Sequence, residues 1–153
     1  MSATASAGAP EATQFDLIIV GAGSGNSILT PEFDDKKVAL VEKGAFGGTC
    51  LNVGCIPTKM YVLAAEQAYA PREAAKLGVD LTFNGADWDA IKERVFDRRI
   101  DVIAKGGEDY RRNGCPNVTV YDMEASFTGP KTLRTGRGGA EETITADTII
   151  LAA

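Results

Sequence analysis

The sequence predicts an α/β chain: a Rossmann-like, largely parallel sheet with a small antiparallel β-meander inserted into it. Residues 15–20, Phe-Asp-Leu-Ile-Ile-Val, form a short apolar run that ends directly on the glycine cluster Gly21-Ala22-Gly23-Ser24-Gly25, the pattern of a buried strand feeding a tight turn. A second such run, residues 38–41, closes on the acid Glu42. Strand and helix patterns then alternate until residue 118, after which the chain turns to short strands, an order that favours α/β architecture.

Taken in order, residues 1–14 are rich in Ala, Ser and Thr, with neither a basic nor an apolar section. They read as a flexible tail rather than a secretory signal. The strand at 15–20 and its glycine turn lead into a brief helical stretch ending near Pro31, and the strand at 38–41 into a glycine-rich segment, 44–55. A helix is predicted over 57–70, with Met60, Leu63 and Ala64 on one face and Pro71 as its stop. A second is predicted over 87–105, with Trp88, Ile91, Val95, Val102 and Ile103 at near-helical spacing. Strands follow at 118–121, 125–127, 132–134, 143–145 and 148–152, and there is no internal repeat. The last strand reads as fully buried, yet the chain stops on it without a turn or polar finish. Such an end leaves an edge that native domains blunt or cover, so a truncated piece of a longer protein is expected.

Composition narrows the function classes. At 153 residues the chain is about one domain long, 44% hydrophobic and 24% charged, which excludes wholesale disorder. The formal charge is −5 and the basic clusters are only pairs such as Arg98-Arg99 and Arg111-Arg112, so nucleic acid is not an expected partner. The longest apolar run, 60–65, falls far short of the roughly 20 residues that span a bilayer, and no membrane association is expected. There is no histidine, which excludes Ser–His and Cys–His pairs and imidazole-held metals within the chain. Without a secretory signal the expected compartment is the cytoplasm, where stable structural disulfides are unusual.

The glycine cluster sits where a dinucleotide-binding fold places its phosphate loop. Gly21 permits the tight turn, Gly23 lets backbone approach a pyrophosphate, and helix N-terminal amides face the phosphate charge. The third glycine of the usual pattern is replaced by Asn26, which should loosen packing; Gly25, one residue early, compensates only in part. Glu42 stands 21 residues after Gly21, where an acid accepts hydrogen bonds from a ribose diol.

Cys50-Leu51-Asn52-Val53-Gly54-Cys55 is the second informative segment. Residues five apart lie about 8.7 Å apart in a regular helix and about 16 Å apart when extended, too far for a disulfide, which needs Cα atoms within about 7 Å. A local irregularity brings them within reach, and Asn52 and Gly54 tolerate turn geometry. Pro57 suits the first turn of the following helix, whose N-terminal field favours a thiolate at Cys55. Spacing alone leaves open a redox pair, two buried unpaired thiols, or a zinc site recruiting Cys115, the last against the usual ligand spacing and without histidine. Lys59 falls one helical turn beyond Cys55, and Cys115 reads as a loop thiol.

The run from Gly47 to Lys59, Gly-Gly-Thr-Cys-Leu-Asn-Val-Gly-Cys-Ile-Pro-Thr-Lys, closely resembles the redox-active segment of the FAD-dependent pyridine nucleotide–disulfide oxidoreductases. The stretches from Gly23 to Leu29, from Pro57 to Met60 and from Gly107 to Arg112 most resemble the mycothione-reducing branch of that family, in which Asn26 is expected. The resemblance covers about residues 15–153, the first part of an FAD-binding domain. It implies that Gly21 and Gly23 hold the FAD pyrophosphate, Glu42 the adenosine ribose, and Ala125 the adenine through its backbone. It places Gly48, Thr49 and Lys59 beside the flavin, with Cys55 as the charge-transfer thiol and Cys50 as the thiol that attacks substrate. NADPH is the implied reductant, a small-molecule disulfide the substrate and a homodimer the assembly. The NADPH and dimerisation domains, and the histidine that protonates the leaving thiol, are absent from this chain, so it is expected not to turn over alone. The alternatives are an NAD-linked lipoamide dehydrogenase-type flavoenzyme and a non-catalytic FAD-binding module.

Overall fold

The computed structural model describes residues 11–153, so the part of the predicted tail at 1–10 lies outside the described residues. The chain divides into two compact units, one built from residues up to Gly44 and from Asp109 onward, the other from Ala45–Glu108.

The first unit is a six-stranded sheet. Strands β1 (Thr13–Val20), β2 (Val38–Val41), β3 (Val118–Tyr121), β4 (Ser126–Gly129), β5 (Thr132–Arg137) and β6 (Ala140–Leu151) lie in the order β3-β2-β1-β6-β5-β4. The β1, β2, β3 and β6 pairings are parallel, while β4, β5 and β6 pair antiparallel. Leu17, Ile18 and Ile19 are buried in succession, as are all four residues of β2, as expected for parallel strands covered on both faces. Phe15, Ile18, Ala39, Val41, Tyr121, Leu133, Ile144 and Ala146 form one core, in which the rings of Phe15 and Tyr121 meet edge to face at 6.1 Å.

Several expectations are corrected here. Thr13 and Gln14, assigned to the tail, belong to β1 and sit in register with Ile144 and Thr145 of β6. The separate strands expected at 143–145 and 148–152 are one twelve-residue strand, its first half paired with β5 and its second half with β1. The meander is therefore the antiparallel continuation of the main sheet. Pairing to β5 stops at Thr145, so among the described residues β6 beyond it has a strand on one side only; Thr148 and Leu151 are exposed and Ile149 and Ile150 half-buried, where full burial was expected. The helical stretch after the glycine loop consists of two short 3-10 turns, Ser24–Ile28 and Pro31–Phe33.

The second unit is helical: α1 (Gly48–Asn52), α2 (Cys55–Ala75), α3 (Trp88–Val95) and most of α4 (Asp101–Asp109). Pro71 does not stop α2, which runs on to Ala75; the helix lacks one N–H at Pro71 but is rich in alanine, the strongest helix former. Its half-buried positions include Met60, Ala64 and Ala68, whereas Leu63 is exposed. Asp87 caps α3 by accepting a 3.0 Å bond from the Ala90 amide, and Tyr61 of α2 stacks on Trp88 at 5.3 Å. Between α3 and α4 a wide, π-type turn, Phe96–Ile100, inserts an extra residue. It moves the buried face to Val95, Ile100 and Ala104 and leaves the expected Val102 and Ile103 exposed. A second wide turn, Tyr110–Gly114, carries the helical path beyond the predicted end.

Candidate functional site

In the first unit the glycine loop leaves β1 toward the first 3-10 turn. Gly21 has φ +109, and a Cβ there would meet the Ala152 carbonyl, so only glycine fits on both counts. A Cβ on Gly25 would collide with that of Ala152. Gly25 thus takes the close-packing role usually given to the third glycine of the pattern, more fully than expected. Asn26 does not loosen the loop. Its Nδ2 donates to the carbonyls of Ala22 (3.1 Å) and Gly23 (2.7 Å). Its Oδ1 and backbone oxygen accept bonds of 3.0 and 2.9 Å from Arg111.

Glu42 directly follows β2, half-buried. Its two oxygens accept 2.8 Å bonds from the Ala22 and Gly44 amides, and each keeps a lone pair for a further donor. Ala125 packs against the core cluster just ahead of β4. Tyr121, at the end of β3, donates 2.9 Å to Glu142; burial first, then that carboxylate, pushes its phenol up to about 12. Cys115 is buried, with Arg111 Nη1 at 3.6 Å from its sulfur.

A dinucleotide phosphate fits the loop's donor set. The first bond of the 3-10 turn runs from the Asn26 amide to the Gly23 carbonyl, so the turn gives the Ser24 and Gly25 amides no acceptor. Amides in a glycine turn of this kind form an anion-binding concavity, here supplied by the loop rather than by a long helix.

In the second unit the sequence builds a sharp corner around two sulfurs. Gly47 has φ +101 and Gly48 φ +62, and a side chain on Gly47 would strike Leu51. Asn52 Nδ2 ties the end of α1 back to the carbonyls of Gly48 (2.9 Å) and Phe46 (3.0 Å). The helical path then breaks at Val53 and Gly54 and restarts at Cys55. A Cβ on Gly54 would stand 2.8 Å from the Thr49 carbonyl and 3.4 Å from Cys50 Cα; glycine therefore lets the start of α2 close onto α1. This is the irregularity that the spacing required.

Cys50 lies in α1 and Cys55 opens α2, and both are exposed free thiols. The hydrogen bond with the Cys55 side chain is the main cause that raises Cys50 above an ordinary thiol, with the Cys55 backbone amide acting the other way. Two exposed thiols on either side of a tight corner can interconvert with a disulfide. Thr49 and Lys59 are exposed, Lys59 one turn from Cys55 on α2, and Pro57 is buried in the first turn. Among the described residues, no group of three or more Cys, Asp or Glu could hold a metal ion, and no helix is long and apolar enough to cross a membrane.

The sequence named Asn52 and Gly54 as the turn-tolerant residues of the corner, but not the role of Arg111. Arg111 is 85 positions from Asn26, a pairing no local pattern shows, whereas the glycine directly before Cys55 and three before Pro57 is a visible signal of a kinked thiol corner.

The family described as pyridine nucleotide-disulphide oxidoreductase matches residues 15–153. Mycothione reductase of Mycobacterium tuberculosis (strain ATCC 25618 / H37Rv) is 48% identical over 144 residues, covering 91% of this chain and 30% of that protein. Dihydrolipoyl dehydrogenase of Bacillus subtilis (strain 168) is 31% identical over 140 residues, 86% of this chain and 29% of that protein. Among solved structures, the Cu(II) complex of the HOCl-induced flavoprotein disulfide reductase RclA from Escherichia coli superposes with a TM-score of 0.72 at 25% identity, over 92% of this chain and 29% of that one. The chain thus spans about 30% of the length of the curated relatives it matches.

Proposed function

The chain belongs to the pyridine nucleotide-disulphide oxidoreductase family, and from that premise we propose that it carries the FAD-binding loop and the redox dithiol of an NADPH-dependent reductase of mycothione. The observation that carries this reading is the corner between α1 and α2, where Gly54 brings the chain so close that a Cβ there would stand 3.4 Å from Cys50 Cα, with the thiols of Cys50 and Cys55 both exposed on either side of it. The loop amides with Gly21 and Gly23 hold the cofactor pyrophosphate, Glu42 the adenosine ribose, and the Ala125 backbone the adenine. Gly48, Thr49 and Lys59 line the flavin side. Bound FAD supplies the two-electron carrier between NADPH and the thiol pair.

The chain's own chemistry is thiol–disulfide exchange. The Cys50 thiolate attacks one sulfur of the substrate disulfide; that S–S bond breaks, and one substrate thiolate leaves and takes up a proton. Cys55, once deprotonated, attacks the Cys50 sulfur of the mixed disulfide, releasing the second substrate thiol. The balance is one substrate disulfide and one chain dithiol converted to two substrate thiols and one Cys50–Cys55 disulfide. Exposure of both sulfurs supports attack on a small molecule from solvent. We assign the protein to a homodimer in the cytoplasm.

Single turnover tests the assignment. Pre-reduced chain mixed with mycothione should release two thiols per chain, Cys50→Ser should abolish release, and FAD should be quenched by the parent and not by Gly21→Val. Release from lipoamide but not from mycothione would favour the dihydrolipoyl dehydrogenase-type reading, which the lower identity to that enzyme places second.

A further inference from the structure

We propose that Arg111 is a positioning residue for dinucleotide binding: acting through Asn26, it turns the peptides of the glycine loop so that their N–H groups face the incoming phosphates. This rests on the reading of that loop as the FAD site.

Arg111 Nε donates to Asn26 Oδ1 at 3.0 Å and Nη2 to the Asn26 backbone oxygen at 2.9 Å. A planar guanidinium fork that holds two oxygens of one residue fixes its orientation as well as its position. With Oδ1 engaged by a permanent cation, the Asn26 amide must present Nδ2 on its other side, because the reverse placement would set NH2 against guanidinium N–H. Nδ2 donates there to the carbonyls of Ala22 and Gly23.

The loop geometry follows from peptide planarity. The described residues contain no cis peptide bonds, and in a trans peptide the C=O and the following N–H point in opposite directions. Drawing the Ala22 and Gly23 carbonyls toward Asn26 therefore turns the Gly23 and Ser24 amides away from it. Successive N–H groups aimed to one side are what an anion requires. The same fork places a positive charge behind the loop without spending the loop's donors. Because the guanidinium stays charged at all working pH values, the clamp is permanent.

The test uses the full chain and two readouts: FAD affinity from flavin fluorescence, and amide hydrogen exchange over residues 22–28 without FAD. Arg111→Met is expected to weaken FAD binding about tenfold or more, and to speed exchange over 22–28 while leaving β1 and β2 protected. Asn26→Ala should do the same, and the double variant should be no worse than the worse single one, since both break one chain of contacts. Arg111→Lys, with one point-like donor, should recover only part of the loss, and with Asn26→Ala it carries the test if the methionine variant does not fold. Parent-like affinity and exchange in the variants, or losses that add in the double variant, would overturn the proposal. Failure of the parent chain to bind FAD would overturn the FAD reading itself, whereas the exchange data, taken without FAD, would still decide whether Arg111 orders the loop.

Discussion

At the scale of single residues, the chemistry of Cys50 is set by its neighbour. Its thiol holds its proton more tightly than an ordinary cysteine, chiefly because of the hydrogen bond with Cys55. A raised value means less thiolate at neutral pH, so alkylation of Cys50 should accelerate only at more alkaline pH than for a free cysteine. Cys55→Ala removes the main cause, and the pH midpoint of Cys50 alkylation, read by mass spectrometry, should move down. An unchanged midpoint would separate the two sulfurs. The same scale shows why Cys50-x-x-x-x-Cys55 was only half legible in the sequence. Spacing demanded an irregularity and left three readings of the thiols open; the resemblance chose the redox pair, and the exposure of both sulfurs rules out buried thiols.

At the scale of elements, α2 carries a correctable weakness. Pro71 lies well inside the helix, where it removes the hydrogen bond to the carbonyl four residues back. Since the helix continues regardless, Pro71→Ala should raise the melting temperature, with a gain of up to ~3 kcal/mol; a lower one would mean that the proline shapes the native packing. Strands β2 and β3 were readable to the residue because their apolar runs end on clear breakers. The long helical segment was read correctly in its start near Asp87 and wrongly on its buried face. Helical periodicity assumes a constant pitch, and the wide turn at Phe96–Ile100 adds a residue that composition does not mark. Likewise β6 was split at Ala146-Asp147 because the charged Asp147 looks like a break, although pairing with β1 runs on from Phe15↔Ala146 to Leu17↔Thr148.

At the scale of the whole molecule, the parallel strands and the glycine loop were legible, and the way the antiparallel strands join the same sheet was not, since register is fixed by partners distant in sequence. The three cysteines separate by environment: Cys50 and Cys55 are exposed on either side of one corner, while Cys115 is buried beside Arg111. Everything proposed for the chain's activity depends on that first pair cycling between thiol and disulfide. The most direct measurement is mild oxidation of the intact chain followed by peptide mapping. The account predicts that two hydrogens are lost per chain, that one peptide links Cys50 to Cys55, and that Cys115 remains reduced; a linkage through Cys115, or two thiols that survive oxidation unpaired, would contradict it.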